Sequence, residues 1–265
     1  MSLFRRLELP REHGAWGMLV VSALAGLITA GQPGEGSAWL VLALLAGFSS
    51  RESMVQTLRA WKRQRPAGIS GRLALIKLSI MGLAGGVLLF RLGLWGLLWT
   101  ALAAAILGAL HLRDALAGNE RSVSGQLVAI LAITLAAPAA DYVAHGSWRP
   151  QALAVWLLCV LYFASAVFYL KVRVGTVNRK RGRDLPRVRR QCAAYHAFLA
   201  LLVLVLAVRT PLGPPLVLAY LAIVLRAAWF LVRPSQVLRL KRIGYLEVAY
   251  SLIFLAFLIL AMRPL

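Results

Sequence analysis

Nine apolar runs, each long enough to cross a bilayer, follow one another along this chain. Because a membrane-spanning helix takes about 20 mostly apolar residues, nine spans use about 180 residues of the chain. Hydrophobic residues make up 60% of the sequence and charged residues 15%, whereas soluble domains are nearer about 45–50% and about 25%. The predicted spans cover residues 14–30, 37–53, 72–90, 93–112, 123–142, 151–172, 192–208, 211–232 and 244–262. The sequence therefore predicts an all-α, polytopic integral membrane protein, with residues 1–265 forming one transmembrane domain.

The basic residues are distributed unevenly between the two sides of the predicted membrane. Of the 30 Lys and Arg residues, 24 lie in the N-terminal tail and in the connections after spans two, four, six and eight. Only four lie on the opposite side. Since cytoplasmic loops are enriched in Lys and Arg, we expect the N-terminus in the cytoplasm and, after an odd number of spans, the C-terminus outside. The net charge of +21 then indicates contact with anionic lipid headgroups rather than with nucleic acid.

Polar residues suited to chemistry gather on the predicted cytoplasmic side. They form five short clusters, at residues 11–16, 49–52, 120–122, 178–184 and 242–247. Each cluster also has a structural explanation, such as a polar helix start, a solvated charge run or a local ion pair. Their shared side is the stronger signal. No acid falls at a predicted midplane, where transporters and proton pumps commonly place one, and this weakens that class of function.

Several individual residues leave two interpretations open. Lys77 and Arg226 lie inside predicted spans, where each either snorkels to the interface or faces a cytoplasmic cavity and meets an anion. Glu247 either pairs with an arginine of the inner face or has a functional role. Glu120 lies at the start of the fifth span, for which Asn119 is the expected cap. The cations that follow the second span, Arg59, Lys62, Arg63 and Arg65, are interpreted as anchors on the inner side rather than as ligands.

Short motifs in the chain resemble the YwiC-like family of bacterial membrane proteins. They are Glu12-His13-Gly14-Ala15-Trp16, Glu120-Arg121-Ser122, and Arg242-Ile243-Gly244 with Glu247. The resemblance extends over nearly the whole chain, and the first of these strings is its most distinctive part. Together with the charge distribution, it implies a multi-pass protein of the bacterial cytoplasmic (inner) membrane.

The predicted nine-helix layout also resembles the UbiA superfamily of intramembrane prenyltransferases. Members of that superfamily hold magnesium and a prenyl diphosphate on two Asp-rich motifs, which follow helices two and six. The corresponding segments here, 49–57 and 178–184, each contain a single acid, Glu52 or Asp184. Either these two acids hold magnesium, or cations hold a diphosphate with little or no metal, or the ancestral chemistry has been lost.

These features together predict a UbiA-related protein with a cytoplasm-facing polar cavity for an anionic or phosphate-bearing isoprenoid or lipid. Glu12, Glu52, Asp184 and Glu247 are expected at the mouth of that cavity. The expected catalytic residues are Glu12, His13 and Glu247, the expected ligands of any metal are Glu52 and Asp184, and the expected substrate-binding residues are Arg51, Glu120, Arg121, Ser122, Asn178, Arg183 and Arg242. If the protein is an enzyme, the expected reaction is prenyl or lipid group transfer. The alternative is a non-enzymatic permease, a lipid-handling protein or a structural partner of a membrane complex.

Overall fold

Helices make up the regular structure of the chain in the computed structural model, which describes residues 7–10, 13–31, 33–177, 184–234 and 240–263. These ranges contain no β-strand, so the predicted all-α class is confirmed for them. The helices are α1 (His13–Ala30), α2 (Glu35–Lys62), α3 (Gly68–Gly86, continued by a π-helical turn at Val87–Arg91), α4 (Leu97–Leu116), α5 (Val123–Thr134), α6 (Ala136–His145), α7 (Pro150–Val177), α8 (Leu185–Arg209), α9 (Gly213–Val232) and α10 (Leu240–Met262).

Each predicted span coincides with a helical segment of the described structure. Eight of these segments are long and apolar enough to cross a membrane, which makes the protein a polytopic helical membrane protein. Helices α5 and α6 together form one of the eight, Val123–His145, whereas Gly14–Ala30 is a shorter apolar helix. Several helices extend past the predicted limits, as α2 does by continuing to Lys62. Apolar composition marks only the part of a helix inside the hydrocarbon, and the helical backbone continues into the headgroup region.

The chain divides into two compact units, Met1–Trp156 and Leu157–Leu265. In the first unit, α2 packs against α3, α1 against α6, and α4 against α5. In the second unit, α9 packs against both α8 and α10. Helix α7 begins in the first unit and continues into the second. The single transmembrane domain expected for residues 1–265 stays a prediction.

Small residues allow α1 and α6 to pack closely in the first unit. Ala25 of α1 and Ala137 and Ala140 of α6 are completely buried. A Cβ atom added to Gly26 would collide with the backbone carbonyl oxygen of Ala137 and would lie 2.9 Å from the Ala140 Cβ. Close packing between small residues is a main source of helix association in membranes, where lipid tails are as apolar as leucine.

A buried ion pair connects α6 to the segment that follows its C-terminal end. Gly146 ends the helix in the left-handed conformation, with φ of 70°, which glycine adopts without steric cost. The chain then turns back so that Arg149 reaches Asp141, with its Nε donating to Oδ1 at 3.1 Å and its Nη2 donating to Oδ2. Asp141 has no exposed surface, and therefore the Arg149 guanidinium is what compensates its charge.

Aromatic side chains join the helices of the second unit. Tyr162 of α7 stacks on Phe254 of α10, with 4.0 Å between the ring centroids. The hydroxyl groups of Tyr195 and Tyr220 donate to the carbonyl oxygens of Leu161 and Leu158, each at 2.7 Å. These bonds satisfy both buried hydroxyls and connect α8 and α9 to the same stretch of α7.

Candidate functional site

Arg51 is the centre of a polar cluster in the first unit, which we call the Arg51 cluster: Arg51, Glu52, Gln56, His111 and Glu120. The guanidinium Nε of Arg51 donates to His111 Nε2 at 3.0 Å, and Nη2 donates to Glu120 Oε2 at 2.9 Å. Its Nη1 lies 3.9 Å from Glu52 Oε2. One half-buried side chain thus connects α2, α4 and the turn before α5. Three residues that the sequence singled out, Arg51, Glu52 and Glu120, are therefore neighbours.

His111 is a member of this cluster that the sequence did not single out. It lies 60 positions after Arg51 in the chain, and no local motif surrounds it. Because its Nε2 accepts a hydrogen bond from Arg51, the ring is neutral there and carries its proton on Nδ1. Only the packing of α4 against α2 reveals that these two side chains belong together.

A basic pocket of about 450 Å³ adjoins the Arg51 cluster. We call it the arginine pocket, and it is lined by Gln56, Arg59, Ala60, Arg63, Arg65, Pro66, Ala67 and Ser70. Gln56 belongs to both sites, because its amide donates to Glu52 Oε1 at 2.9 Å. Arg59 donates to the carbonyl oxygen of Ala115 at 3.0 Å. The sequence interpreted these arginines as anchors, whereas the structure brings three of them around one pocket.

The turn before α5 differs from its predicted form. Ser122 caps the helix, because its hydroxyl oxygen accepts the Gly125 N–H at 2.9 Å. The expectation of an Asn119 cap was wrong: the Asn119 N–H donates to the carbonyl oxygen of Asp114 at 2.8 Å. A capping side chain must directly precede the first helical residue to reach the N–H groups of the first turn, and Asn119 lies too far upstream. Arg121 is exposed in the same turn.

Lys77 of α3 is buried and holds the segment that precedes α1. Its ammonium donates to the carbonyl oxygens of Leu7 at 2.7 Å and Ser49 at 2.9 Å, and to the Ser53 hydroxyl at 3.0 Å. The structure surrounds the ammonium with carbonyl and hydroxyl oxygens of the protein, and the two interpretations of Lys77 from the sequence stay predictions. The charge of Lys77 is solvated by the protein, as buried charges require.

Replacing Lys77 with methionine is expected to release the segment 7–10, because the carbonyl oxygens of Leu7 and Glu8 lose a charged donor. Hydrogen bonds to charged groups contribute about 1.5–3 kcal/mol each, and a tenfold change corresponds to about 1.4 kcal/mol. We therefore expect cleavage after Glu8 by a glutamate-specific protease to accelerate at least about tenfold. Lys62→Met, an equivalent change at the exposed end of α2, is the control. Equal cleavage rates in the two variants would contradict the tethering role of Lys77.

Glu247, a predicted catalytic residue, is paired with Arg226 in the second unit. The Arg226 Nη1 donates to Glu247 Oε1, so the predicted structural alternative for Glu247 is confirmed. The guanidinium also lies over the rings of Tyr169 and Tyr250, 4.1 and 5.2 Å from their centroids. Because Arg226 is partly neutralised by Glu247 and covered by aromatic rings, it can remain charged inside the helical unit.

The remaining predicted site residues lie at exposed positions or outside the described part of the chain. Glu12, Asn178 and Arg183 lie outside the described residues, as do the side chains of His13 and Arg242. Asp184 is exposed immediately before α8. The side chains that the structure describes include no group of three or more His, Cys, Asp or Glu residues suited to a metal ion. Magnesium binding by Glu52 and Asp184 therefore stays a prediction.

Comparison with known proteins identifies one family. The YwiC-like protein family model matches residues 9–141, which is half of the chain. This matched range contains the Arg51 cluster, the arginine pocket and the Lys77 site. No curated protein and no solved structure matches the chain.

Proposed function

The chain belongs to the YwiC-like family, and we propose that it binds a phosphate-bearing isoprenoid or lipid at the cytoplasmic face of the bacterial inner membrane. In this proposal, nine helices form a UbiA-like bundle with the N-terminus in the cytoplasm and the C-terminus outside. The observation that carries the proposal is the arginine pocket, where three guanidinium groups surround one space of about 450 Å³.

The chemistry of this pocket suits a phosphate or diphosphate group. Guanidinium groups bind phosphate oxygens through paired hydrogen bonds, and the polar side chains of Gln56 and Ser70 also line the pocket. The pocket lining includes no carboxylate, so the cations themselves would neutralise a diphosphate. The roles proposed from the sequence for Glu52 and Asp184, as ligands of any magnesium, do not involve this lining.

The Arg51 cluster would place polar and ionisable side chains next to a diphosphate bound in the arginine pocket. Glu52 accepts from Gln56 of the pocket wall and lies beside Arg51, which in turn holds His111 and Glu120. In a group transfer, an acceptor nucleophile would bond to the prenyl or lipid carbon, the bond from that carbon to the diphosphate oxygen would break, and a base would take the acceptor proton. The proposed acid–base residues of this site are Glu12 and His13, and Arg121 and Ser122 are further proposed binding residues. The roles proposed for Asn178, Arg183, Arg242 and Glu247, which belong to the stretch Leu157–Leu265, are separate from this site and rest on the sequence alone.

Titration with geranylgeranyl diphosphate, with and without magnesium, tests this proposal on purified protein in detergent. The variant Arg63→Gln/Arg65→Gln removes two exposed cations from the pocket, and Arg113→Gln removes an exposed cation of α4 that does not line it. At about 1.5–3 kcal/mol for each charge-assisted contact, the double variant is expected to bind at least about a hundredfold more weakly. The control is expected to bind like the unmodified protein.

A product assay with radiolabelled geranylgeranyl diphosphate and an extracted lipid acceptor separates the two classes of function. Transfer of the label supports an enzyme, whereas occupancy without product supports the non-enzymatic, lipid-handling alternative. Absence of binding under both metal conditions would refute the proposal. If the double variant and the unmodified protein bound with equal affinity, the arginine pocket would not be the binding site for the diphosphate.

A further inference from the structure

A groove of about 920 Å³ in the second unit has the composition of an anion-binding site. We call it the Arg226 groove, and its walls come from α7, α9 and α10. Three arginines line it, Arg173, Arg226 and Arg233. Each lies over an aromatic ring: Arg173 is 4.6 Å from the Phe230 centroid, and Arg233 is 4.9 Å from that of Trp229. Stacking on a ring positions a guanidinium while its N–H edge stays available for an anion.

Arg226 has donors that the described structure does not satisfy. Its side chain is only 10% exposed, and Nη1 donates to Glu247. The buried Nε and Nη2 have no hydrogen-bond partner among the described residues. Leaving a buried donor of a charged group unpaired is costly, so these two donors require an acceptor from outside the described side chains.

The described lining of the groove contains arginines but no carboxylate. Three arginines line it, and Glu247 is the carboxylate that the structure pairs with Arg226. The described lining of the groove is therefore basic next to apolar surface. A bound anion would be attracted to this basic lining and would give the buried donors of Arg226 an acceptor.

One side of the groove presents apolar surface of the kind that faces lipid. Leu225, Trp229 and Val232 line it, and their exposed fractions are 58%, 64% and 78%. All three belong to α9, which is a candidate membrane span. Arg226 lies six residues before the end of this helix, or about 9 Å at 1.5 Å per residue. Arg226 and this apolar wall therefore lie next to one another on the same helix.

We propose that the Arg226 groove binds an anionic phospholipid of the surrounding bilayer, with the phosphate on Arg226 and the acyl chains along Leu225 and Trp229. A lipid fits better than free phosphate, since only a lipid would cover the apolar wall as well as satisfy the arginine. This site goes beyond the proposed function, because it lies in the other unit from the arginine pocket and does not depend on it.

Binding of short-chain phosphatidylglycerol to the full chain in detergent, measured by native mass spectrometry, tests the proposal. Short-chain phosphatidylcholine is the matched lipid without net charge, and inorganic phosphate is the competitor that lacks acyl chains. Arg226→Gln removes the proposed phosphate ligand. Ala228→Trp fills the groove without changing its charge, and Leu221→Trp is the matched control on an exposed position of α9 that does not line the groove.

We expect phosphatidylglycerol to bind at least tenfold more tightly than phosphatidylcholine, and both groove variants to lose at least tenfold in affinity. The Leu221→Trp control is expected to bind phosphatidylglycerol like the unmodified protein. If Arg226→Gln does not fold, Ala228→Trp still tests the groove, because it leaves Arg226 in place. Equal binding of the two lipids, or normal binding by Ala228→Trp, would overturn the site. Displacement of the lipid by millimolar inorganic phosphate would show a free-anion site instead. Retained lipid binding in Arg63→Gln/Arg65→Gln would confirm that this site is independent of the arginine pocket.

Discussion

Replacing Arg149 with alanine is expected to destabilise the protein by about 3–5 kcal/mol, because it leaves a buried carboxylate without its partner. Asp141 is fully buried and receives two donors from the same guanidinium. At this chain length, such a loss corresponds to a melting temperature lowered by roughly 10 °C. Thermal unfolding of the purified protein in detergent measures it.

The control for this prediction is another ion pair of the first unit. Arg91 lies 3.0 Å from Glu35, and both side chains are more than half exposed. Exposed pairs contribute about 0–1 kcal/mol, so Arg91→Ala is expected to change the melting temperature little. The double variant Asp141→Asn/Arg149→Gln removes both charges and is expected to recover part of the loss. If Arg149→Ala and Arg91→Ala behave alike, Asp141 does not depend on Arg149.

Replacing Gly26 with alanine is expected to cost about 3 kcal/mol, since the added methyl group forces α1 away from α6. The added Cβ would collide with the backbone of Ala137, and backbone cannot move aside as a flexible side chain can. Helix packing between small residues leaves no room for this group. The melting temperature in detergent is again the measurement.

Gly17→Ala is the matched control, because it is the same substitution in the same helix. A Cβ at Gly17 meets nothing within 4 Å, so the change is expected to be neutral or to stabilise α1 by up to about 1 kcal/mol through helix propensity. A Gly26→Ala protein as stable as Gly17→Ala would contradict the close packing of α1 on α6.

The candidate site shows where inference from sequence reached its limit. Arg51, Glu52 and Glu120 could be selected because each lies at a helix end rich in polar residues. The link from Arg51 to His111 could not, since it joins two helices that are 60 positions apart in the chain. The role of Lys77 was missed for the same reason: its four acceptors, Leu7, Glu8, Ser49 and Ser53, come from two distant segments.

The sequence by itself determined the helical class and the positions of the apolar segments, because a bilayer imposes length and composition on every span. Its short motifs also indicated the YwiC-like family, and the model of that family matches residues 9–141. Only the tertiary structure decided which charges meet. Pairs such as Arg51 with Glu120 and Arg226 with Glu247 depend on which helices pack side by side and on how each is rotated. Neither property follows from composition, since many helix arrangements bury the same apolar surface equally well.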